Sequence, residues 1–504
     1  MKSIDRFLNS ITMYRLVQYG LYVMVAYAII CGFFGVLPYG GFSLLGSFVI
    51  LGLIAALANT VFSKIFRAPT NHESASITSL ILFFILIPVI SLQSVYILVA
   101  AAVVAMASKY VFAIRKKHIF NPAAISAAIV GFAGSGAAVW WVGTIWMVPV
   151  VLIFGLLIVR KLRRFTLFWS FILTAVAVSI YIFSSEGFGL GEILKLVITS
   201  WPLLFFATVM LTEPLTTPPS RKLQIMYGVI VGILFSSQFN IGPIYTSPEL
   251  ALIIGNIFSF IVSSHQKLTL RLKSKTQLSG LIYSFTFTAD QKLRFKSGQY
   301  LEWTMPGLKV DERGNRRFFT IASSPTEPDI HLGVRVQQDG SSFKDHLLEM
   351  KEGDMMMAGS LSGEFTLPKD SNEKLVFIAG GIGVTPFRSM VKYLLDKKEK
   401  RDITLFYACA SENDFVYMDV FAEAEREIGL KVVYIVTDVA KVTEAWKGKT
   451  GYITAELITD EVVDPKNHLF YLSGPDAMVR NYKKLILKME ISRTHIRTDY
   501  FPGF

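Results

Sequence analysis

The stretch Arg317 to Pro325, RFFTIASSP, decides how the second half of this chain is read. Arg317 can fork two hydrogen bonds onto a phosphate, a geometry that a lysine ammonium does not offer. Strand alternation puts Arg317 and Phe319 on one face. Phe319 then presents a flat surface for an isoalloxazine ring, with Phe318 beside it, and Thr320 brings a hydroxyl within reach of the ring's redox-active nitrogen. An arginine among aromatics also describes an ordinary packed strand edge, so the stretch takes its meaning from the motifs downstream.

Further on, in VRVQQDGSSFKDHL, Gly340, Ser341 and Ser342 open a predicted helix. Small residues at a helix start leave backbone N–H groups and the positive end of the helix dipole free for a phosphate. In KLVFIAGGIGVTPFRSM an apolar run, Leu375 to Ala379, leads into Gly380, Gly381, Gly383, Thr385 and Pro386 and then a helix. This strand, glycine turn and Pro-started helix suits a pyrophosphate, although the spacing is not G-x-G-x-x-G. The pattern returns in YLSGPDAM, with Ser473, Gly474 and Pro475.

In this order, R-x-F-T, G-S-S, G-G-x-G-x-T-P and S-G-P resemble the ferredoxin-NADP reductase family over about Gln266 to Phe504. The resemblance implies an antiparallel β-barrel holding FAD, residues 266–370, followed by an α/β domain for NAD(P)H, residues 371–504. It implies that Arg317, Phe318, Phe319 and Thr320 hold the flavin, with Gly340, Ser341 and Ser342 at its pyrophosphate. Gly380, Gly381, Gly383, Thr385, Pro386, Gly474 and Pro475 would hold the nicotinamide nucleotide, and Thr320 and Ser473 would act at the reacting rings. The family often has Cys where Ser473 stands, which implies an altered rate of hydride transfer with function kept. Ser411, Glu412, Asn413 and Asp414 include no base to pair with a 2′-phosphate, so NADH is favoured over NADPH.

The first half is of another kind. The 504 residues are 52% hydrophobic with a net charge of +12, and the mean hydropathy is +0.47, too apolar for a wholly soluble chain. Residues 1–265 carry 16 Lys+Arg and 6 Asp+Glu. The basic balance thus sits beside apolar stretches, which points to the loops of a membrane protein and away from nucleic acid.

A bilayer core of about 30 Å asks for about 20 apolar residues per helix. Ten stretches qualify or nearly do: Leu21 to Pro38, Leu44 to Phe66, Ile77 to Leu92, Val95 to Ala113, Asn121 to Ala133, Val139 to Val159, Thr166 to Ser184, Ile193 to Leu211, Ile225 to Phe239 and Leu250 to Ser264. The fifth and ninth are short enough to be half-helices or re-entrant. Connections alternate between basic and base-free. The basic side has Lys2, Arg6 and Arg15, then Lys64 and Arg67, then Arg115, Lys116 and Lys117, then Arg160, Lys161, Arg163 and Arg164, then Arg221 and Lys222. By the positive-inside rule both termini and the reductase half are expected in the cytoplasm, on a multi-pass protein of the inner or plasma membrane. The first stretch does not read as a cleavable signal. Polar, Pro- and Thr-rich breaks before span three and after span eight suggest two inverted repeats of five spans.

KKHIFNPAAISAAIVG, Lys116 to Gly131, with SITSLILFFILIP and FFATVMLTEPLTTP, resembles the RnfD/NqrB family of membrane proteins over most of residues 20–264. That family carries FMN esterified to Thr in an outer S-x-A-T loop. Here Ser135-Gly136-Ala137-Ala138 has Ala in the acceptor position, so a membrane flavin, FMN or riboflavin, is expected to be non-covalent.

Other relays lack their ligands. His72, His118 and His265 are the only histidines of the first half, and no span holds a His pair for heme. Cys31 and Cys409, the only cysteines, can neither hold an iron–sulfur cluster nor pair with each other, one in the membrane and one in the cytoplasm. No metal site is expected. Lys109 and Lys195 lie near span ends and can snorkel; Glu213, beside Pro214, is the intramembrane carboxylate to watch.

The sequence therefore reads as a polytopic α-helical membrane domain, residues 1–265, fused to a ferredoxin-reductase-like module. The expected activity is NAD(P)H oxidation through FAD, with electrons passed to quinone, a membrane-bound flavin or a redox partner protein. The alternative is a transporter or channel whose reductase-like half senses nicotinamide redox state.

Overall fold

The computed structural model describes residues 4, 7–8, 11–66, 72–114, 117–135, 138–237, 240–241, 244–263, 267–306, 315–336 and 341–499. Gly340, His265, Gly136, Ala137 and, among the loop bases, Lys2, Arg6, Arg67, Arg115 and Lys116 lie outside the described residues. Contacts divide the chain into two units, Met1–His265 and Gln266–Phe504.

The first unit is helical: α1 Met13–Phe33, α2 Gly41–Ile65, α3 His72–Ile85, α4 Leu92–Val111, α5 Pro122–Val130, α6 Val148–Leu162, α7 Phe165–Ser185, α8 Leu190–Thr199, α9 Leu203–Phe205, α10 Arg221–Ser236 and α11 Pro248–Val262. Each expected apolar stretch carries a helix. By length and composition, however, among the described residues only α1, α2, α4 and α7 are long and apolar enough to cross a membrane, and α8 with the segment Leu203–Met210 forms one further candidate bent by 59°. The bend falls at Ser200-Trp201-Pro202, where the proline cannot donate to the ladder. The broken stretch is thus the eighth. The ninth, read as short enough to be a half-helix or re-entrant, is the continuous 16-residue α10. The fifth is short: nine residues of α5 run into a single π turn, Gly131–Ser135. Leu53, Leu57, Val61 and Ile65 stand exposed along α2, a face that suits lipid and not water.

Small residues set how closely these helices cross. A Cβ at Gly228 of α10 would lie 2.1 Å from Ser170 Oγ and 3.0 Å from the Phe171 backbone nitrogen of α7, and one at Gly232 would lie 2.9 Å from Thr174 Cβ. Several buried polar groups bond to one another across helices, as an apolar surround favours. Asn121 caps its own helix through Oδ1 to the Ala123 and Ala124 nitrogens (3.0 and 3.1 Å). Its Nδ2 donates to Glu213 Oε2 at 2.8 Å, and its backbone nitrogen donates to Asn256 Oδ1 of α11 at 2.8 Å. Asn256 also donates to Tyr227 Oη of α10 (3.1 Å), and Thr216 Oγ1 to Glu213 (3.1 Å). Lys109 donates to the Ser74 carbonyl and hydroxyl, both at 3.0 Å.

The second unit has two sheets. β1 Leu268–Ser279, β2 Ile282–Ala289, β3 Tyr300–Thr304, β4 Arg316–Thr320, β5 Ile330–Arg335 and, after α12 Ser342–Glu349, β6 Met355–Ser362 form an antiparallel sheet of order β4-β3-β6-β1-β2-β5. Leu268, Leu270 and Leu272 of β1 are buried while Arg271 between them is exposed, the period of two that a one-sided core demands. The sheet curls until Ala322 N, just past β4, donates to the His331 carbonyl of β5 at 2.9 Å. Phe285, Phe287, Leu301, Trp303 and Phe343 fill its interior.

The rest is α/β: β7 Leu375–Gly380, α13 Thr385–Lys397, β8 Ile403–Cys409, α14 Met418–Ile428, β9 Lys431–Val436, β10 Lys449–Thr450, α15 Ala455–Glu461, β11 Leu469–Ser473, α16 Asp476–Lys488 and β12 Ile496–Asp499. The sheet is parallel throughout, order β10-β9-β8-β7-β11-β12. Every residue of β7, β8 and β11 is buried, because helices cover both faces.

Forcing a side chain into the α7–α10 contact should destabilise the first unit. Overpacking costs about 1–3 kcal/mol, and each kcal/mol lowers Tm by about 2–4 °C in a domain of this size. Gly228→Leu is therefore expected to melt several degrees below wild type in detergent. Gly52→Leu, where an added Cβ meets nothing within 4 Å, is the control and should melt with wild type. Equal melting of both variants would mean that the helices do not cross at Gly228.

Candidate functional site

The flavin-type features lie on β4 and at the start of α12. Arg317, 7% exposed, has its Cζ 5.4 Å from the centre of the Phe343 ring, and its Nη1 donates to the Arg316 carbonyl at 2.7 Å. The Phe319 ring also meets Phe343, 5.9 Å between centres. Arg317 and Phe319 thus share the face that looks toward α12. Ser341 precedes α12; its hydroxyl is buried with no hydrogen-bond partner, and its side chain does not cap the helix. A guanidinium beside an uncapped helix start and a buried idle hydroxyl is an anion-binding set. These residues fit a flavin nucleotide's phosphates. Ser342 begins α12 beside them.

Phe318 points the other way. It is 36% exposed and stands edge-on to Tyr300, 5.8 Å between ring centres. Thr320, buried, lies opposite Tyr300 in the ladder between β3 and β4. The accessible aromatic surface next to Thr320 is therefore made by Phe318 and Tyr300. Sequence reasoning missed Tyr300, for which register with Thr320 is the signal.

The nucleotide-type turns meet where the strand order reverses. β7 pairs with β8 on one side and with β11 on the other, so the carboxyl ends of β7 and β11 flank the crevice in which open α/β sheets bind ligands. Gly381 has φ +52°, a conformation that β-substituted residues avoid. A Cβ at Gly383 would come within 2.6 Å of both the Gly474 Cα and the Ser473 carbonyl oxygen. The two turns therefore touch backbone to backbone. Ser473, buried, ends β11 opposite Ala379. Thr385 Oγ1 donates to the Ile382 carbonyl (3.2 Å), and Pro386 sits in the first turn of α13, whose start has no side-chain cap. Gly380 and Pro475 complete the contact, since a Cβ on Gly380 would meet Met478 and Pro475.

Beyond the end of β8, Glu412 accepts from Thr443 Oγ1 at 3.0 Å, and Lys441 pairs with Asp438 at 3.0 Å. Arg335 at the end of β5 reaches within 4.0 Å of Asp414. The base-free stretch Ser411 to Asp414 thus has one base brought to it by the fold, already faced by a carboxylate. Cys409, buried behind the Gly381 turn, donates to the Asp414 carbonyl at 3.5 Å. Burial pushes its thiol up to about 12, which makes it a packing group with almost no thiolate at neutral pH. No group of three or more His, Cys, Asp or Glu that could hold a metal exists among the described residues.

This site coincides with the region that known proteins share with the chain. Residues 377–484 match the family described as oxidoreductase NAD-binding domain. The phenol hydroxylase P5 protein of Acinetobacter pittii is 24% identical over 243 residues, 48% of this chain and 66% of its own length. A component of the Na(+)-translocating NADH-quinone reductase of Neisseria meningitidis is 27% identical over 208 residues, covering 39% of this chain and 51% of its own. The Amycolatopsis cytochrome P450 reductase structure superposes with a TM-score of 0.42 at 24% identity, over 47% of this chain and 70% of that one. The chain spans between half and two thirds of these curated relatives. The C-terminal half is thus similar to NAD-binding oxidoreductases of the ferredoxin-NADP reductase type.

Arg317→Ala should weaken FAD retention by more than about tenfold, through loss of a charge-assisted phosphate contact of about 1.5–3 kcal/mol. Flavin occupancy after dialysis measures this, and unchanged occupancy would place the phosphate elsewhere. Gly383→Ala should leave FAD bound but weaken NADH by about tenfold, roughly 1.4 kcal/mol, because its Cβ meets only backbone. An unchanged NADH titration would show that the two turns can part at no cost to the nucleotide.

Proposed function

We propose that the chain is a membrane-bound NADH oxidoreductase that passes electrons from NADH through FAD to a membrane acceptor, either quinone or a membrane-bound flavin relay. The observation that carries this reading is the presence, in one chain, of two anion-binding turn sets in the second unit and of four helices long and apolar enough to cross a bilayer in the first.

In this reading Arg317, Ser341 and Ser342 hold the flavin phosphates with Phe319 on their side of β4, Phe318 and Thr320 line its ring with Tyr300, and Gly380, Gly381, Gly383, Thr385, Pro386, Gly474 and Pro475 hold NADH. Gly340 belongs to the same proposed set by sequence. Ser473 and Thr320 flank the reacting rings, Ser473 in place of the family's cysteine. Bound FAD would supply the chemistry, taking a hydride and releasing electrons singly; the chain supplies near-attack positioning, about 3–3.5 Å between reacting atoms. NADH is preferred because Ser411 to Asp414 include no base, and Arg335, which reaches toward them, already faces the Asp414 carboxylate.

The first unit is read as ten spans in two inverted fives, with both termini cytoplasmic. Supporting it are a helix in each expected stretch and the corresponding placement of α5 and α11, both short, Pro-started and packed together with Asn121 bonded to Asn256. The likeness to RnfD and NqrB suggests a flavin here, FMN or riboflavin, held without a covalent bond since Ala stands at the acceptor position. A quinone would otherwise meet its electrons near Phe120 to Ala123 and Glu213. The name of the Neisseria relative, part of an NADH-quinone reductase, favours quinone over a soluble partner.

Full-length protein purified in detergent is expected to be yellow, to be bleached by NADH anaerobically, and to recover its colour on adding a quinone analogue. Acid precipitation should release all flavin, leaving a polypeptide without fluorescence on a denaturing gel. A colourless, folded protein that conducts solute in proteoliposomes would sink the oxidoreductase reading in favour of a transporter, and a fluorescent band would sink the non-covalent one.

A further inference from the structure

The proposed flavin strand and the proposed nucleotide turn are tied together by a buried polar link that the sequence motifs do not include. Arg388, in the first turns of α13 just after Pro386, is 8% exposed in its side chain, and Glu327, in the loop between β4 and β5, is 13% exposed. Arg388 Nη2 donates to Glu327 Oε1 at 2.8 Å, and Nη1 donates to Glu327 Oε2 as well. The same Nη1 donates to the Ala322 carbonyl at 3.1 Å. Glu327 Oε2 in turn accepts from the Ser324 backbone nitrogen at 2.6 Å. Next along the helix, Ser389 Oγ donates to the Ser323 carbonyl at 2.6 Å. Further along the helix, Asp396 accepts from Thr326 Oγ1 and from Lys392 Nζ.

With the exception of the Lys392 contact within α13, these bonds join α13 to the segment Ala322–Glu327 or tie that segment to itself. The segment begins two residues after Thr320, and α13 begins two residues after Gly383. The link therefore bridges the flavin strand and the dinucleotide turn close to both. A bidentate guanidinium–carboxylate pair has one preferred geometry, whereas apolar packing slides. Buried pairs of this sort add little net stability over apolar groups of the same size, so what the pair contributes is a fixed orientation. Donor and acceptor rings must lie within about 3.5 Å of each other, and a misplacement of about 1 Å can cost about a hundredfold in rate.

We infer that Arg388 and Glu327 are positioning residues that hold the nicotinamide in register with the flavin, an inference that rests on the NADH-to-FAD reading above. They touch neither reacting atom. Their loss should slow hydride transfer at saturating NADH without loosening either cofactor.

The test is anaerobic stopped-flow reduction of the full-length protein's flavin over a range of NADH concentrations. R388M–E327L removes the pair and leaves no lone buried charge, so it should keep its flavin; its melting temperature is read alongside, because the Ala322 carbonyl and the Ser324 nitrogen each lose a partner. Its limiting rate of bleaching is expected to fall at least tenfold, with the half-saturating NADH concentration within twofold of wild type. E327Q, which keeps one acceptor oxygen but sets an amide N–H against a donor and so breaks the two-pronged geometry, should fall between the two, and it carries the test alone if the double variant sheds flavin. A limiting rate within twofold of wild type in a flavin-loaded variant would overturn the inference and leave the pair as a structural tie. If wild-type flavin were not bleached by NADH at all, the NADH-to-FAD reading would fall first, a result separable from any behaviour of the variants.

Discussion

Two backbone turns that no side chain can separate, at Gly383 and Gly474, constrain the whole second unit. Their contact fixes the carboxyl ends of β7 and β11 side by side. Because the strand order reverses at that pair, the helices that come next, α13 and α16, must leave the sheet on opposite sides of the crevice. The direction of α13 then decides where Arg388 and Ser389 fall, and these bind the chain just beyond Thr320. A contact between two glycines thus propagates through one helix to the strand that carries Arg317.

In the first unit several buried polar groups are paired across distant parts of the chain. Asn121 bonds twice, its oxygen serving the start of α5 and its amide serving Glu213, 92 residues away. Asn256 does likewise for the Asn121 backbone and Tyr227. At the start of α11, Glu249 is buried and accepts from Trp140 Nε1 at 2.8 Å. Each short helix therefore begins against a polar group from a distant part of the chain. Such paired anchoring is what would hold two half-spans in place.

The parts of this arrangement that were legible in the sequence are the local ones. The run Leu375 to Ala379, the glycines after it and Pro386 specify strand, turn and helix within a dozen residues, and the structure has all three there. The alternation in β1 and the polar start of α5 at Asn121-Pro122 are equally local. Longer relations were not legible. Ile193 to Leu211 reads as one apolar stretch, and hydropathy does not register the bend that Trp201-Pro202 imposes. Ile225 to Phe239 looks too short for a whole helix, yet α10 extends toward its polar end from Arg221, capped by Ser220. Arg388 and Glu327 stand 61 residues apart, and charges at that separation leave no period to detect. Tyr300 acquires its place beside Phe318 only through the register of β3 and β4.

Helix starts differ in how their first N–H groups are met. α5, α11 and α13 all have proline in the first turn, which removes one donor and leaves the next few N–H groups in need of acceptors. In α5 the Asn121 side chain supplies them, and in α11 Ser247 does, accepting from Leu250 N at 3.3 Å. In α13 no side chain does so; α12 and α16 also lack a side-chain cap. Those three are the helices that begin at the G-S-S, G-G-x-G and S-G-P turns. In the first unit α5 and α11 close this chemistry with a side chain, whereas α2, α6 and α7 start without one. It is open at the three motif turns, where a phosphate would complete it.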